Sequence, residues 1–356
     1  MDLNSFISKT ANPVHYKTSW EAPSNIALIK YWGKQEQQIP KNPSLSFTLS
    51  SSVTRTEVDF QPKLMSNFDF DFYFHGNQKP EFKLKLQTFF KRIEPYIPWI
   101  KEYKLTIKSQ NSFPHSSGIA SSASAMAALS LSLMDLEKHL FSNIENSFFN
   151  KKASFLARLG SGSASRSING PVTIWGKNKT LKTCSDFYAI SYEKDLNSVF
   201  KSYQNTILLV DKRAKAISSS KGHNLMYNHP FSQTRFLQAT DNLDALIPIM
   251  KSGDLDAFIK IVELEALSLH AMMMTSSPYF ILMKPNTLEI LQKIWDFRTI
   301  QKIPVCFTLD AGANVHILYP SVYKREVIQF IDQELKSFCK DGKYLLDQVG
   351  QGPKKL

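Results

Sequence analysis

Segments of strand-like and helix-like periodicity do not alternate steadily along this chain, and that order constrains its fold more than any other feature. Strand patterns fall at 53–60 (VTRTEVDF), 68–74 (FDFDFYF), 103–109, 171–175, 205–210 (NTILLV) and 304–309. Helical patterns cover 82–93, 119–137, 151–159, 231–250, 254–274, 287–300 and 321–338. Each half mixes the two, without the regular βαβα succession of a doubly wound parallel sheet. The expected class is therefore α+β. A polar, turn-rich stretch at 176–223 separates the halves, so two lobes are expected, 1–190 and 191–356.

At 356 residues, with 43% apolar and 12% aromatic residues, the chain is long and apolar enough for packed cores. No run approaches the ~18 apolar residues of a membrane helix. The opening MDLNSFISKTANPVHYK has no apolar core and does not read as a signal peptide. Cys184, Cys306 and Cys339 are widely spaced and odd in number, which fits reduced thiols in the cytoplasm. The net charge of +12 raises nucleic acid as a partner, but the lysines are scattered, and the compact cluster KKASFLAR (151–158) reads as a solvated helix face. A small anionic substrate suits the same field.

Four segments combine small, hydroxyl-bearing or charged residues with apolar strands. In APSNIALIKYWGK (22–34), Lys30 and Lys34 flank Tyr31, Trp32 and Gly33, while Asn25 and Lys30 lie among apolar residues, where an unpartnered charge is costly. In SFPHSSGIASSASA (112–125), a glycine ahead of a helix, followed by serines, can present free N–H groups to a phosphate. It carries no GxxxxGK[ST], so it is not a P-loop. RLGSGSASRS (158–167) joins two glycines, four serines and the forked donor Arg166. In FTLDAGANVHIL (307–318), Asp310 ends an apolar strand, a place where an aspartate most often only forms the turn. The histidines show no metal-ligand spacing, so no metal-binding residues are assigned. His223 and His229 read as surface-loop residues, and Met272–Met274 as core filling.

Together and in this order, the four segments resemble the mevalonate diphosphate decarboxylase family of the GHMP kinase superfamily. The resemblance spans residues 20 to about 335. It implies a ribosomal-S5-like N-terminal lobe and a ferredoxin-like C-terminal lobe facing each other across the active cleft. It implies ATP and magnesium as cofactors, phosphorylation of the 3-hydroxyl of mevalonate 5-diphosphate, loss of phosphate and carbon dioxide to give isopentenyl diphosphate, and a homodimer. By motif position, Asp310 would orient or deprotonate the 3-hydroxyl, with Lys30 close to the reacting groups. Arg166, with Asn25 beside it, would meet the substrate carboxylate. Tyr31, Lys34, Ser161 and Ser163 would hold the diphosphate. Pro114, His115, Ser116, Ser117, Gly118, Ala120, Ser121 and Ser122 would cradle the ATP phosphates.

The chain also departs from the family pattern. His115, Ser116 and Ser117 stand where the family usually has Thr-Ala-Ala, and Pro43 interrupts KNPSLSFTL, which keeps Ser44 and Ser46. The segment from His223 to His229 replaces a helix start that usually carries Met and Thr. An arginine usual after the alternating strand is missing, and Lys79 or Lys83 could serve in its place. Two alternatives follow: a kinase or decarboxylase acting on mevalonate or its monophosphate, and a non-catalytic RNA-binding protein. The second lacks RNP-like or arginine-rich stretches.

Overall fold

The structure is a computed structural model and describes residues 3–114, 119–211 and 219–356. Its strands are β1 (Tyr16–Ile29), β2 (Ser44–Pro62), β3 (Asp69–Phe74), β4 (Asn77–Gln78), β5 (Tyr103–Asn111), β6 (Val172–Trp175), β7 (Ile190–Ser191), β8 (Gln204–Leu208), β9 (Cys306–Leu309), β10 (Val315–Tyr319), β11 (Tyr344–Gln348) and β12 (Lys354–Lys355). Its helices are α1 (Lys83–Ile93), α2 (Ser121–Leu140), α3 (Asn146–Gly160), α4 (Ser198–Lys201), α5 (Ser219–Asn224), α6 (Ser232–Ser252), α7 (Leu255–Met274), α8 (Pro285–Gln301) and α9 (Lys324–Phe330).

Two mixed layers result, as the α+β order predicts. One sheet runs β12-β1-β2-β5-β3-β4, with β6 and β7 continuing from β2, and β3 and β5 are its parallel pair. The other runs β11-β8-β10-β9 and is antiparallel throughout. The first sheet and α1–α3 enclose a core around Phe60, Phe89, Trp99, Leu131 and Phe155. A second core joins the lobes: Ile26, Leu28 and Phe47 of the first sheet pack with Tyr203, Phe258 and Leu318 of the second half. At the end of the chain, β12 crosses back to pair with β1, Trp20 opposite Lys355.

β1 escaped the periodicity reading for a physical reason. From Ala22 to Ile29 every residue is buried, because α2 covers one side of the strand and the C-terminal lobe the other. Strands buried on both faces lose their alternation. The cluster KKASFLAR is not a solvated face. Lys151 is exposed, but Lys152 is fully buried, its ammonium donating to Glu137 at 2.6 and 2.8 Å and to Ser8 at 2.9 Å. Arg158 is buried too, donating to the carbonyls of Phe187 and Gln37. Of the methionine run, Met272 and Met273 fill the core, while Met274 is exposed. Cys184, Cys306 and Cys339 are buried free thiols. Among the described residues no helix is long and apolar enough to cross a membrane.

Candidate active site

A cleft of about 960 Å³, counted to its open mouth, lies where the end of β1, the N-terminus of α2, the turn after α3, α5 and the turn after β9 meet. Its lining includes Asn25, Lys30, Tyr31, Lys34, Ala120, Ser122, Ser161, Ser163, Arg166 and Asp310, so residues from four distant segments converge. Pro114 and Ser121 are described but do not line this cleft; Ser121 lines an adjoining pocket. His115, Ser116, Ser117 and Gly118 lie outside the described residues.

Two register shifts in the β1–β2 ladder, between Pro23 and Asn25 and between Ala27 and Ile29, shape the near wall. Proline cannot donate to the ladder and commonly marks such bulges, which re-aim side chains. Beyond the first shift, Asn25 donates its amide to the Ser163 carbonyl at 3.1 Å and to Ser167 Oγ at 2.8 Å. Beyond the second, the Lys30 ammonium folds back onto the Ala27 carbonyl at 2.6 Å.

The turn after α3 supplies the hydroxyls. Gly160 and Gly162 serve close approach and not a left-handed backbone. A Cβ at Gly162 would stand 2.6 Å from the Tyr31 hydroxyl, and one at Gly160 would stand 2.6 Å from Met126 Sδ. Ser161 Oγ lies 3.3 Å from Ser122 Oγ, so the serines of the α2 start and of this turn face each other across the cleft. Ala120, just before α2, holds a left-handed φ of 43°. Arg166 is buried; its Nη1 donates to Ser44 Oγ at 2.5 Å, and its Nε points to Asn25 Oδ1 at 3.4 Å. Burial lowers its pKa to about 10, with Asp310 and Tyr31 opposing.

Asp310 is more than a turn residue. The turn is made by its main chain, whose carbonyl accepts from the Gly312 N–H at 2.7 Å and faces His270 Nε2 at 3.1 Å. Its carboxylate instead faces Lys30 Nζ at 3.5 Å and is a quarter exposed to the cleft. Lys30 is almost wholly buried, and that burial lowers its pKa, against the pull of Asp310 and Glu265. Glu265, fully buried on α7, fixes this segment by accepting the Lys30 N–H at 2.8 Å while it holds Arg235 and Asn242.

The structure adds residues that the sequence reading missed. Trp32, Gln38, Lys85, His223 and Leu269 line the cleft. Lys85, neither Lys79 nor Lys83, is the α1 cation that reaches it; Lys79 pairs with Glu81 at 3.5 Å, and Lys83 is exposed. His223 and His229 are buried, not surface-loop residues. His229 Nε2 lies 3.0 Å from the Met272 carbonyl, and His223 Nδ1 accepts the Gly33 N–H at 2.9 Å. Among the described residues the lining thus carries Lys30, Lys34, Lys85 and Arg166 against one carboxylate, Asp310, a field suited to a polyanion.

Two buried imidazoles carry a stability prediction. Burial first, with Lys34 and Arg166 nearby, lowers the His223 pKa to about 3; burial lowers that of His316 to about 4, against the pull of Asp310. In the unfolded chain both take a proton near pH 6.5. The unfolded state therefore binds more protons below that value, and stability, fully present above pH 6.5, falls as pH drops toward 4. The slope approaches ~1.4 kcal/mol per pH unit for each histidine. Urea midpoints at pH 7.5, 6.5 and 5.5 should show this fall, and His316→Gln should flatten it. A level profile would refute it.

Similar proteins carry the same architecture. A family model described as the diphosphomevalonate decarboxylase-like N-terminal domain matches residues 22–186. One described as the mevalonate 5-diphosphate decarboxylase C-terminal domain matches residues 205–354. The diphosphomevalonate decarboxylase of Ganoderma lucidum is 29% identical, over 89% of this chain and 81% of its own. The phosphomevalonate decarboxylase of Haloferax volcanii is 27% identical, over 82% of this chain and 84% of its own. The solved complex of MDDEF with MVAPP, AMPPCP and magnesium superposes with a TM-score of 0.81 at 26% identity, covering 96% of this chain and 99% of that one. With both halves matched in order and the signature segments converging on one cleft, the chain belongs to the diphosphomevalonate decarboxylase family.

Proposed function

We propose that this protein is an ATP-dependent decarboxylase that converts mevalonate 5-diphosphate to isopentenyl diphosphate, releasing ADP, phosphate and carbon dioxide. We place it in the cytoplasm as a homodimer with lobes 1–190 and 191–356. The carrying observation is the juxtaposition, in one polycationic cleft, of the Asp310–Lys30 pair with buried Arg166.

Asp310 accepts or orients the proton of the 3-hydroxyl as its oxygen attacks the γ-phosphorus of ATP and ADP departs. Lys30 faces both that carboxylate, at 3.5 Å, and the charge of the moving phosphoryl group. No covalent nucleophile is needed, because positioning and charge stabilisation carry phosphoryl transfer. The 3-phosphate then leaves with the C3–O electron pair. The bond from C2 to the carboxyl carbon breaks, its electrons form the new double bond, and carbon dioxide departs. Arg166, with Asn25, holds the carboxylate in line with that bond. Tyr31, Lys34, Ser161 and Ser163 hold the diphosphate, and burial leaves the Tyr31 hydroxyl without a partner among the described residues until a ligand arrives.

The ATP phosphates are assigned to the α2 start, at Pro114, Ala120, Ser121 and Ser122; His115, Ser116, Ser117 and Gly118 of the same motif lie outside the described residues. An adjoining apolar pocket lined by Phe72, Phe74, Phe82, Ser121 and Ser122 fits the base. The facing Ser122 and Ser161 hydroxyls are hard oxygen donors that fit magnesium carried mainly by phosphate oxygens. Bound there, magnesium would neutralise phosphate charge.

The test is incubation with ATP, magnesium and mevalonate bearing zero, one or two 5-phosphates, following ADP and carbon dioxide together. Equal release of both with the diphosphate alone is expected. Comparable turnover of the monophosphate favours the second reading, a monophosphate decarboxylase, which His223, in a segment that departs from the family pattern, makes the specific rival. ADP without carbon dioxide would make the protein a kinase.

A further inference from the structure

We propose that His223 is a neutral hydrogen-bond donor to the terminal phosphate of the substrate tail and sets the preference for two phosphates over one. This rests on the reading above and assigns a specificity role to a residue outside the recognised motifs.

Position comes first. His223 lines the cleft and also a neighbouring recess formed with Gly33, Lys34, Lys41, Tyr227 and Gln233. The recess shares Lys34 and His223 with the cleft but contains neither Asp310 nor Lys30. These two shared residues therefore mark the end of the cleft away from the reacting hydroxyl, where a phosphorylated tail extends.

Chemistry comes next. The Gly33 N–H donates to His223 Nδ1 at 2.9 Å, so in the neutral ring the proton is on Nε2. No protein acceptor for that N–H is found among the described residues. The ring is fixed between Tyr31 and Trp32, at centroid distances of 4.3 and 4.8 Å. Gly222 permits this packing, since a Cβ there would come within 2.5 Å of the Trp32 ring. A further cation beside Lys34 and Arg166 would be repelled, whereas a neutral N–H adds a directional contact without that cost.

Hydrogen bonds to charged acceptors set the scale. His223→Met should raise KM for the diphosphate substrate on the order of 10- to 100-fold. The kcat should stay within about twofold, KM for the monophosphate should hardly change, and KM for ATP should not move, the signature of lost uniform binding. His223→Gln, which can place an amide N–H there, should recover most of the loss. Independently, in wild-type protein with 15N-labelled histidine, inorganic pyrophosphate should shift the His223 Nε2 signal, and orthophosphate should shift it less.

An unchanged diphosphate KM in His223→Met, an equal rise for both substrates, or an Nε2 signal unmoved by pyrophosphate would overturn the proposal. Should His223→Met fail to fold, His223→Gln and the spectroscopic titration decide alone. Wild-type protein that turns over none of the mevalonates would refute the decarboxylase reading instead, while pyrophosphate would still test His223.

Discussion

Asp310→Asn should lower ADP release by a factor on the order of 10²–10⁴, the usual contribution of a positioned acid–base group, with nucleotide binding and melting temperature close to wild type. The structure sharpens this expectation. The contacts that hold the turn, to Gly312 and His270, are made by the Asp310 main-chain carbonyl, and an asparagine keeps them. What the substitution removes is the negative charge facing Lys30 at 3.5 Å. Lys30, already pushed toward its neutral form by burial, then loses its nearest carboxylate, so its pKa should fall further. In the proposed mechanism the variant thus damages two partners at once: the group that would receive the hydroxyl proton and the cation that would face the phosphoryl charge. Steady-state ADP release, with nucleotide binding by titration and thermal unfolding, separates this from a folding defect. Retention of most activity would mean that Asp310 only shapes the turn.

Much of this site was legible in the sequence because its chemistry is concentrated in short motifs. Asn25, Lys30, Tyr31 and Lys34 are delivered by one strand end, and Ser161, Ser163 and Arg166 by one turn, so local composition marked them. Helices α1 and α3 and strand β5 were legible because each buries one face, and β6, β8 and β9 as short apolar runs. What escaped depends on contacts remote in sequence. The buried half of β1 shows no alternation because the second lobe covers it. Lys152 and Arg158 looked solvated because their partners, Glu137, Ser8 and the carbonyls of Phe187 and Gln37, come from other elements. His223 looked like a surface residue because its surroundings, Tyr31, Trp32 and the Gly33 N–H, lie about 190 positions earlier. Lys85 belongs to a helix that no motif marks, and only the packing of α1 against the sheet brings it to the cleft.

Arg166→Lys should lower kcat on the order of 10²–10³, the scale for loss of a preorganised electrostatic donor, with little change in KM for ATP. The arginine divides its fork between anchoring and binding. Nη1 donates to Ser44 and Nε points to Asn25, while the plane lies near the Tyr31 and Trp175 rings at 6.0 and 5.9 Å. A lysine has a single ammonium on a flexible stem, so it can keep an anchor or meet the substrate carboxylate in line, but not both. Burial compounds the loss, because an ammonium is more strongly hydrated than a guanidinium and is harder to keep charged where almost no water reaches. The expected signature is uncoupling. In the proposed mechanism phosphoryl transfer depends on the Asp310–Lys30 side of the cleft and should be the less affected step, while decarboxylation, which needs the carboxylate aligned with the breaking bond, should lag. ADP should then be released ahead of carbon dioxide, and a 3-phosphorylated intermediate should appear by phosphorus NMR. If both products fall together with no intermediate, Arg166 serves the transfer step and not the carboxylate. If the rate is unchanged, its fork only ties the turn after α3 to β2, and the carboxylate must be held elsewhere in the cleft.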